Sequence, residues 1–308
     1  MSILDQVGDT PLIQLRRSSP NPGVEIWAKL ELANPSGSLK DRIALYMIEE
    51  AEKRSELRPG MTIVEATSGN TGIALGMVAA VKGYRLKLFM LENKTVERRK
   101  LLRYWGADLV LTTKEDPDSH IYGAKELISS EPESFFYIDQ NENPDNVRAQ
   151  YHGLAREVAE QLDGRVDAFV AGFGTGGTLM GAARYFRDQG IGARICAVEP
   201  GGEPRARIDG LKHSSESYQP PIYDRSVIDE TIGVPEDEAY RTTREIAAKE
   251  GVIAGLSSGA ALWAAQRLAQ RMDRGRIVVV LADGGERYFS TRLFVLGETA
   301  GQPPVSAG

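Results

Sequence analysis

Lys40 stands in the stretch Asn34-Pro-Ser-Gly-Ser-Leu-Lys40-Asp-Arg42, behind a turn of small residues. Apolar residues at 43, 44, 47, 48 and 51 follow at helical spacing, so a helix starts at Ser38 or a near neighbour and Lys40 lies in its first turn. The positive end of the helix dipole there disfavours an ammonium and lowers the pKa. A neutral amine is a nucleophile. Taken alone, the position also suits an exposed lysine tolerated near a helix end.

Two further turns offer chemistry. Glu65-Ala-Thr-Ser-Gly-Asn-Thr-Gly72 lies between a β-rich run and an apolar helix. Thr67, Ser68, Asn70 and Thr71 would bring hydroxyls, an amide and backbone N–H groups to a helix N-terminus, a cradle for a carboxylate. Gly172-Phe-Gly-Thr-Gly-Gly-Thr178 follows the run DAFVA and opens another helix. Gly174, Gly176 and Gly177 let backbone wrap an oxyanion, and Thr175 and Thr178 add hydroxyls, as a phosphate loop requires. The turn lacks the Lys-Ser/Thr ending of a nucleotide P-loop. Together the three turns ask for a carbonyl to meet an amine, a phosphate and a partner carrying a carboxylate. Pyridoxal 5'-phosphate joined to Lys40, with an amino-acid substrate, meets all three.

The elements that must position these turns alternate along the chain. Short β-branched runs at 62–66, 85–91, 108–113, 135–139, 167–173, 194–200 and 276–283 are each flanked by helical sequence. Strand-helix-strand repetition predicts an α/β fold with mainly parallel sheets covered on both faces. Ligands in such sheets sit beyond the carboxyl ends of the strands, where glycine turns feed helices. The Gly- and Pro-rich segment 201–235 reads as a long surface excursion facing substrate, and the tail 296–308 as peripheral.

Six motifs, NPSGSLKDR, EATSGNTGIAL, DQNENPDN, GTGGTLMG, GLSSGAA and ADGGERYFST, occur in an order and spacing that resemble the cysteine synthase (O-acetylserine sulfhydrylase) family, over residues 3–294. The runs KGYRLKLFM, VERRKLLRYWGADLVLTTKE and GLKHSSESYQPPIYDRSVIDE are most similar to its B type. The resemblance implies the pyridoxal-phosphate fold type II, similar to tryptophan synthase β, with two parallel αβα sandwich domains. Residues 1–35 and 146–295 would form a larger cofactor-binding domain and 36–145 a smaller mobile one. It also implies a homodimer.

By the same resemblance, Lys40 is the catalytic lysine that carries the cofactor. Asn70 would bond the cofactor's ring hydroxyl, Gly174, Thr175, Gly176, Gly177 and Thr178 its phosphate, and Ser257 would face its pyridine nitrogen. Thr67, Ser68, Thr71 and Gln140 match the substrate-carboxylate site. Lys212, beside His213, falls where B-type relatives carry basic residues, and would favour an anionic co-substrate. The implied reaction is β-replacement on O-acetyl-L-serine by sulfide or thiosulfate, through an α-aminoacrylate, giving L-cysteine or S-sulfocysteine. Rival readings are an O-phosphoserine-dependent cysteine synthase, a cystathionine β-synthase, a serine/threonine dehydratase, and a non-catalytic amino-acid sensor or binding scaffold. His152-Gly-Leu-Ala-Arg156, where the family has a Thr-Gly-Pro-Glu-like run, and Leu91, where proline is common, depart from the pattern.

Composition bounds the partners. The 308 residues are 42% apolar and 26% charged, ordinary for a soluble globular chain, and the net charge of −6 includes no basic block that would track nucleic acid. No apolar run is long enough to cross a bilayer and no secretory h-region opens the chain, so the sequence reads as cytoplasmic. Its single cysteine, Cys196, excludes an internal disulfide and reads as a buried, inert thiol. His120 and His152 lack metal-ligand spacing, so no metal site is expected.

Overall fold

A computed structural model describes residues 1–294 apart from 68, 93–95, 114, 117–118, 203–206 and 216–218. Ser68 and the tail 296–308 therefore lie outside the described residues. In chain order the elements are β1 (Leu12–Gln14), β2 (Val24–Leu30), α1 (Lys40–Lys53), β3 (Thr62–Ala66), α2 (Asn70–Lys82), β4 (Arg85–Leu91), α3 (Val96–Tyr104), β5 (Asp108–Thr112) and α4 (Ser119–Ser130). They continue with β6 (Phe135–Tyr137), α5 (Asp145–Gln150), α6 (Arg156–Gln161), β7 (Ala168–Gly172), α7 (Gly177–Asp188), β8 (Arg194–Pro200), β9 (Glu230–Val234), α8 (Glu236–Glu250), α9 (Leu256–Ala269) and β10 (Gly275–Leu281).

The strands form two sheets, one ordered β1-β2-β10-β7-β8-β9 and the other β5-β4-β3-β6. Only β1 pairs antiparallel among these strands; the rest are parallel. Parallel strands covered on both faces are apolar on both sides, and β3 is buried at all five positions. One core lies between the larger sheet and α8 and α9, a second on its opposite face beneath α7. A third gathers α1, α2, β3 and β4, and Leu4 and Val7 of the N-terminal arm pack against it.

The helical spacing read after Lys40 is that of α1, where Ile43, Ala44, Met47, Ile48 and Ala51 are all fully buried. The surface excursion expected over 201–235 needs correction. Its last part is β9, which pairs in parallel with β8 from Cys196↔Glu230 to Pro200↔Val234. Gly233 interrupts the β-branched run there, and Gly201 and Gly233 pack backbone to backbone, since a Cβ on Gly201 would come 2.5 Å from the Gly233 carbonyl carbon. Cys196 is buried, and burial pushes its thiol up to about 11.

Candidate active site

The lysine turn is fixed from within and from across the molecule. Asp41 accepts a hydrogen bond from the Ser36 N–H at 2.6 Å and another from its hydroxyl, which closes the turn ahead of α1. Gly37 is left-handed at φ +86°, and a Cβ there would stand 3.0 Å from an Arg287 guanidinium nitrogen. That guanidinium donates to the Gly37 and Ser36 carbonyls. The Leu39 N–H donates to the Ala282 carbonyl at 2.9 Å, so the turn is strapped to the end of β10.

Lys40 is the first residue of α1. Burial lowers its amine to about 8, the charge of Lys212 pushes the same way, and Asp283 opposes both. The direction is that expected from the helix dipole, but removal from water is the larger cause. Lys212 reaches the site from the loop after β8, where its Nζ donates to Asn141 Oδ1 at 3.1 Å and its N–H to the Phe173 carbonyl at 2.8 Å.

Asp283 holds three pieces together. Its side chain accepts from Asn70 Nδ2 at 2.7 Å and from the Tyr288 hydroxyl at 2.8 Å, and its carbonyl accepts from the Gly255 N–H that precedes α9. Asn70 Oδ1 in turn accepts from Arg287 at 3.1 Å. Asp283 Oδ1 is buried with no partner, and such an atom beside a low-pKa amine marks a place where a polar ligand fits.

The remaining candidates fall into two groups. Thr71, at the start of α2, donates to Gln140 Oε1 at 2.6 Å, and Gln140 Nε2 donates to Glu65 Oε1 at 3.2 Å. Thr67 accepts from the Gly69 N–H at 3.3 Å. Thr175 Oγ1 accepts from Asn146 Nδ2 at 3.0 Å, and the same Nδ2 donates to the Gln140 carbonyl.

The turn from Gly174 to Thr178 feeds α7, with Gly176 left-handed at φ +85°. A Cβ on Gly177 would meet Asn146 Oδ1 at 2.0 Å, so only glycine lets α5 approach. Gly174 lies against the Gly210 carbonyl, and a Cβ on Gly210 would stand 3.8 Å from Ser257 Oγ. The phosphate-type turn, the Lys212 loop and Ser257 thus adjoin one another, while Thr178 is partly exposed at the helix start. Bare backbone N–H groups opening α7, a neutral-leaning amine and a serine hydroxyl fit a phosphate-bearing aldehyde.

Sequence reasoning had quoted the motifs that contain Glu65, Asn146, Asp283, Arg287 and Tyr288 without giving these residues a role. Their signal was membership of the motifs themselves. Arg98 had none. It is buried, lies over the Tyr288 ring at 5.2 Å and pairs with Asp209 at 3.0 Å.

Comparison with known proteins decides the family. The family described as "Pyridoxal-phosphate dependent enzyme" matches residues 3–283. The chain belongs to this family. It is 44% identical to cysteine synthase B of Salmonella typhimurium over 297 residues, 96% of each chain. Among solved structures it is similar to cysteine synthase (OASS) of Entamoeba histolytica, with a TM-score of 0.89 and 36% identity over 96% of this chain and 90% of that one. It is also similar to an O-ureido-L-serine synthase, with a TM-score of 0.90 and 39% identity over 98% and 96%. As a family member the chain is a pyridoxal-phosphate enzyme, and the α/β architecture and cofactor expected from its sequence stand.

Proposed function

We propose that the protein makes L-cysteine by replacing the acetate of O-acetyl-L-serine with sulfide at Cβ. One observation carries the reading: an amine lowered by burial stands at the start of α1 beside Asp283 and Lys212, in a chain 44% identical over nearly its whole length to a relative named cysteine synthase B. Bound pyridoxal phosphate supplies an electron-withdrawing ring conjugated with the substrate's nitrogen, which acidifies the Cα proton and lets a group leave Cβ.

The chain's own residues do the rest. Lys40 would hold the cofactor, and its Nζ would take the substrate's Cα proton and later return it. Residues 174–178 grip the phosphate and Asn70 orients the ring. Thr67, Ser68, Thr71 and Gln140 hold the substrate carboxylate. Ser257 faces the pyridine nitrogen, and a hydroxyl cannot keep that nitrogen protonated as a carboxylate would, which favours departure of a Cβ group over other fates of the substrate. Purified protein with pyridoxal phosphate, O-acetylserine and sulfide is expected to release L-cysteine. Release of pyruvate alone under those conditions would make it a dehydratase-like lyase instead.

Lys212 supports a second sulfur source. Its charge reaches Lys40, so an anion entering past it is attracted, and thiosulfate is expected to serve as nucleophile and yield S-sulfocysteine. The fold's two sheets support a larger domain of 1–35 and 146–295 and a smaller mobile one of 36–145. A homodimer in the cytoplasm completes the reading; the exposed apolar side chains Ile253, Phe289 and Phe294, which gather around Gly285 and one another, are consistent with self-association.

A further inference from the structure

Glu65 is the fourth of the five residues of a fully buried strand, has no solvent contact, and sits behind the residues proposed to hold the substrate carboxylate. One of its oxygens accepts from Gln140 Nε2 at 3.2 Å, and the other, Oε2, is buried without a partner. Gln140 Oε1 then accepts the Thr71 hydroxyl proton at 2.6 Å. In this direction of bonding the Thr71 hydroxyl has used its only proton on Gln140, and its oxygen can show a substrate nothing but lone pairs. A carboxylate is an acceptor and gains nothing from them.

The opposite direction uses the same three side chains and needs only shifts of a few tenths of an ångström, the 2.6 Å contact lengthening to suit N–H···O and the 3.2 Å contact shortening to suit O–H···O. A protonated Glu65 donates to Gln140 Oε1, the turned amide donates from Nε2 to Thr71 Oγ1, and the Thr71 hydroxyl is released to donate outward. We propose that Glu65 is a positioning residue whose proton sets the direction of the Glu65–Gln140–Thr71 hydrogen bonds, and so decides whether Thr71 offers a donor to the α-carboxylate of the amino-acid substrate.

The surroundings favour the protonated form. Burial raises the Glu65 carboxyl to about 8, and the like charge of Asp139 after β6 adds to this, while hydrogen bonds from the Gln140 side chain and the Gln140 and Asp139 backbones pull against it. Lys125 of α4 and Glu142 act on Asp139 in opposite senses. The other neighbours carry no charge: Leu88 is the register partner on β4, and α2 contributes Thr71. The unpartnered Oε2 is tolerable on a neutral acid and costly on an anion.

This inference rests on the proposed carboxylate role of Thr71 and Gln140. Its test is equilibrium binding of L-serine to the holoenzyme, followed by visible absorption from pH 7 to pH 9, in the wild type and in Glu65→Gln. A glutamine at 65 donates at every pH, and titration of the ligand's own amine affects both proteins equally. The ratio of wild-type to E65Q dissociation constants is expected to rise about tenfold between pH 7 and pH 9 as the wild type loses its proton. A ratio constant with pH overturns the proposal. If E65Q does not fold, Glu65→Leu, which offers neither proton nor acceptor, is expected to weaken serine binding at pH 7 and to leave only the pH dependence that the ligand's own amine contributes; binding equal to wild type at both pH values overturns the proposal. A wild type that binds no amino acid at pH 7 removes the carboxylate reading, and the proposal falls with it.

Discussion

Burial and the charge of Lys212 hold the Lys40 amine at about 8, against an ordinary value of 10.5. Between those values the unfolded chain binds more protons than the folded one, so this residue makes stability rise with pH from 8 to 10.5. Below pH 8 its destabilising effect is complete. In cofactor-free protein, Lys40→Met is therefore expected to raise the unfolding free energy by about 2 kcal/mol at pH 7, a figure reduced from full conversion because the side chain is partly exposed. The gain should shrink as pH climbs through 10. Denaturant titrations of the two proteins at pH 7 and pH 10 measure it, and equal stability at pH 7 would contradict the burial argument. The sequence announced this lysine through its turn, but assigned its pKa to the helix dipole; what buries it is the strap to Ala282 and the Asp283 cluster, which come from the far end of the chain.

At the scale of elements, α1 is tied to the larger sheet through a buried ion cluster. Arg42, two residues after Lys40, bonds Glu31 at 2.6 and 2.8 Å and Glu157 of α6 at 2.6 and 2.8 Å, and Lys29 of β2 reaches Glu157 at 2.7 Å. Gly153 lies in a π-helical turn, Tyr151–Ala155, and a Cβ on it would stand 3.0 Å from Arg42. The departure at His152–Arg156 therefore borders this cluster. Burial works against the Glu157 carboxylate, yet Arg42 and Lys29 overcome it and hold the group at about 2. A carboxyl lowered from 4.5 contributes stability above pH 4.5 that is lost as pH falls toward 2.

Glu157→Gln leaves two cations facing one carboxylate and is expected to cost about 3–5 kcal/mol, whereas Arg241→Ala on the exposed face of α8 should cost under about 1 kcal/mol. Urea midpoints compare them, and similar losses would refute the cluster's structural role. Periodicity showed the β-α alternation from β3 onward; β3 and β7 are buried almost throughout, whereas β5 and β6 are partly exposed and were legible from their β-branched and aromatic runs. It missed β1, three residues long, and β9, broken by Gly233. It also missed β2, whose burial alternates from Val24 to Ala28 until Lys29, drawn in by Glu157, breaks the pattern.

Across the whole molecule, some of the polar contacts between elements of the two sheets lie at exposed or half-buried side chains around the site. Arg98 of α3 pairs with Asp209, Glu97 accepts from the Ser290 N–H and hydroxyl at 2.9 Å each, and Asn141 meets Lys212. If the smaller domain is mobile as proposed, contacts of this kind would form as its elements close over a substrate. Asp209→Asn is expected to cost under about 1 kcal/mol of stability yet to raise the KM for O-acetylserine by roughly 2- to 10-fold, about the weight of one such contact. Steady-state kinetics beside a urea melt separates the two, and an unchanged KM would argue against closure through this pair. These long-range contacts join residues such as Glu97 and Ser290, 193 positions apart, and no periodicity in one sequence reports them.

The measurement that tests the central claim most directly is the visible absorption of the holoenzyme on adding O-acetylserine and then sulfide, in the wild type and in Lys40→Ala. The account predicts a cofactor band in the wild type that shifts with O-acetylserine and returns with sulfide as L-cysteine appears, and a folded K40A protein whose turnover falls by at least about a thousandfold, the scale of a lost catalytic group. A wild-type band indifferent to O-acetylserine, or near-normal cysteine formation by K40A, would contradict it.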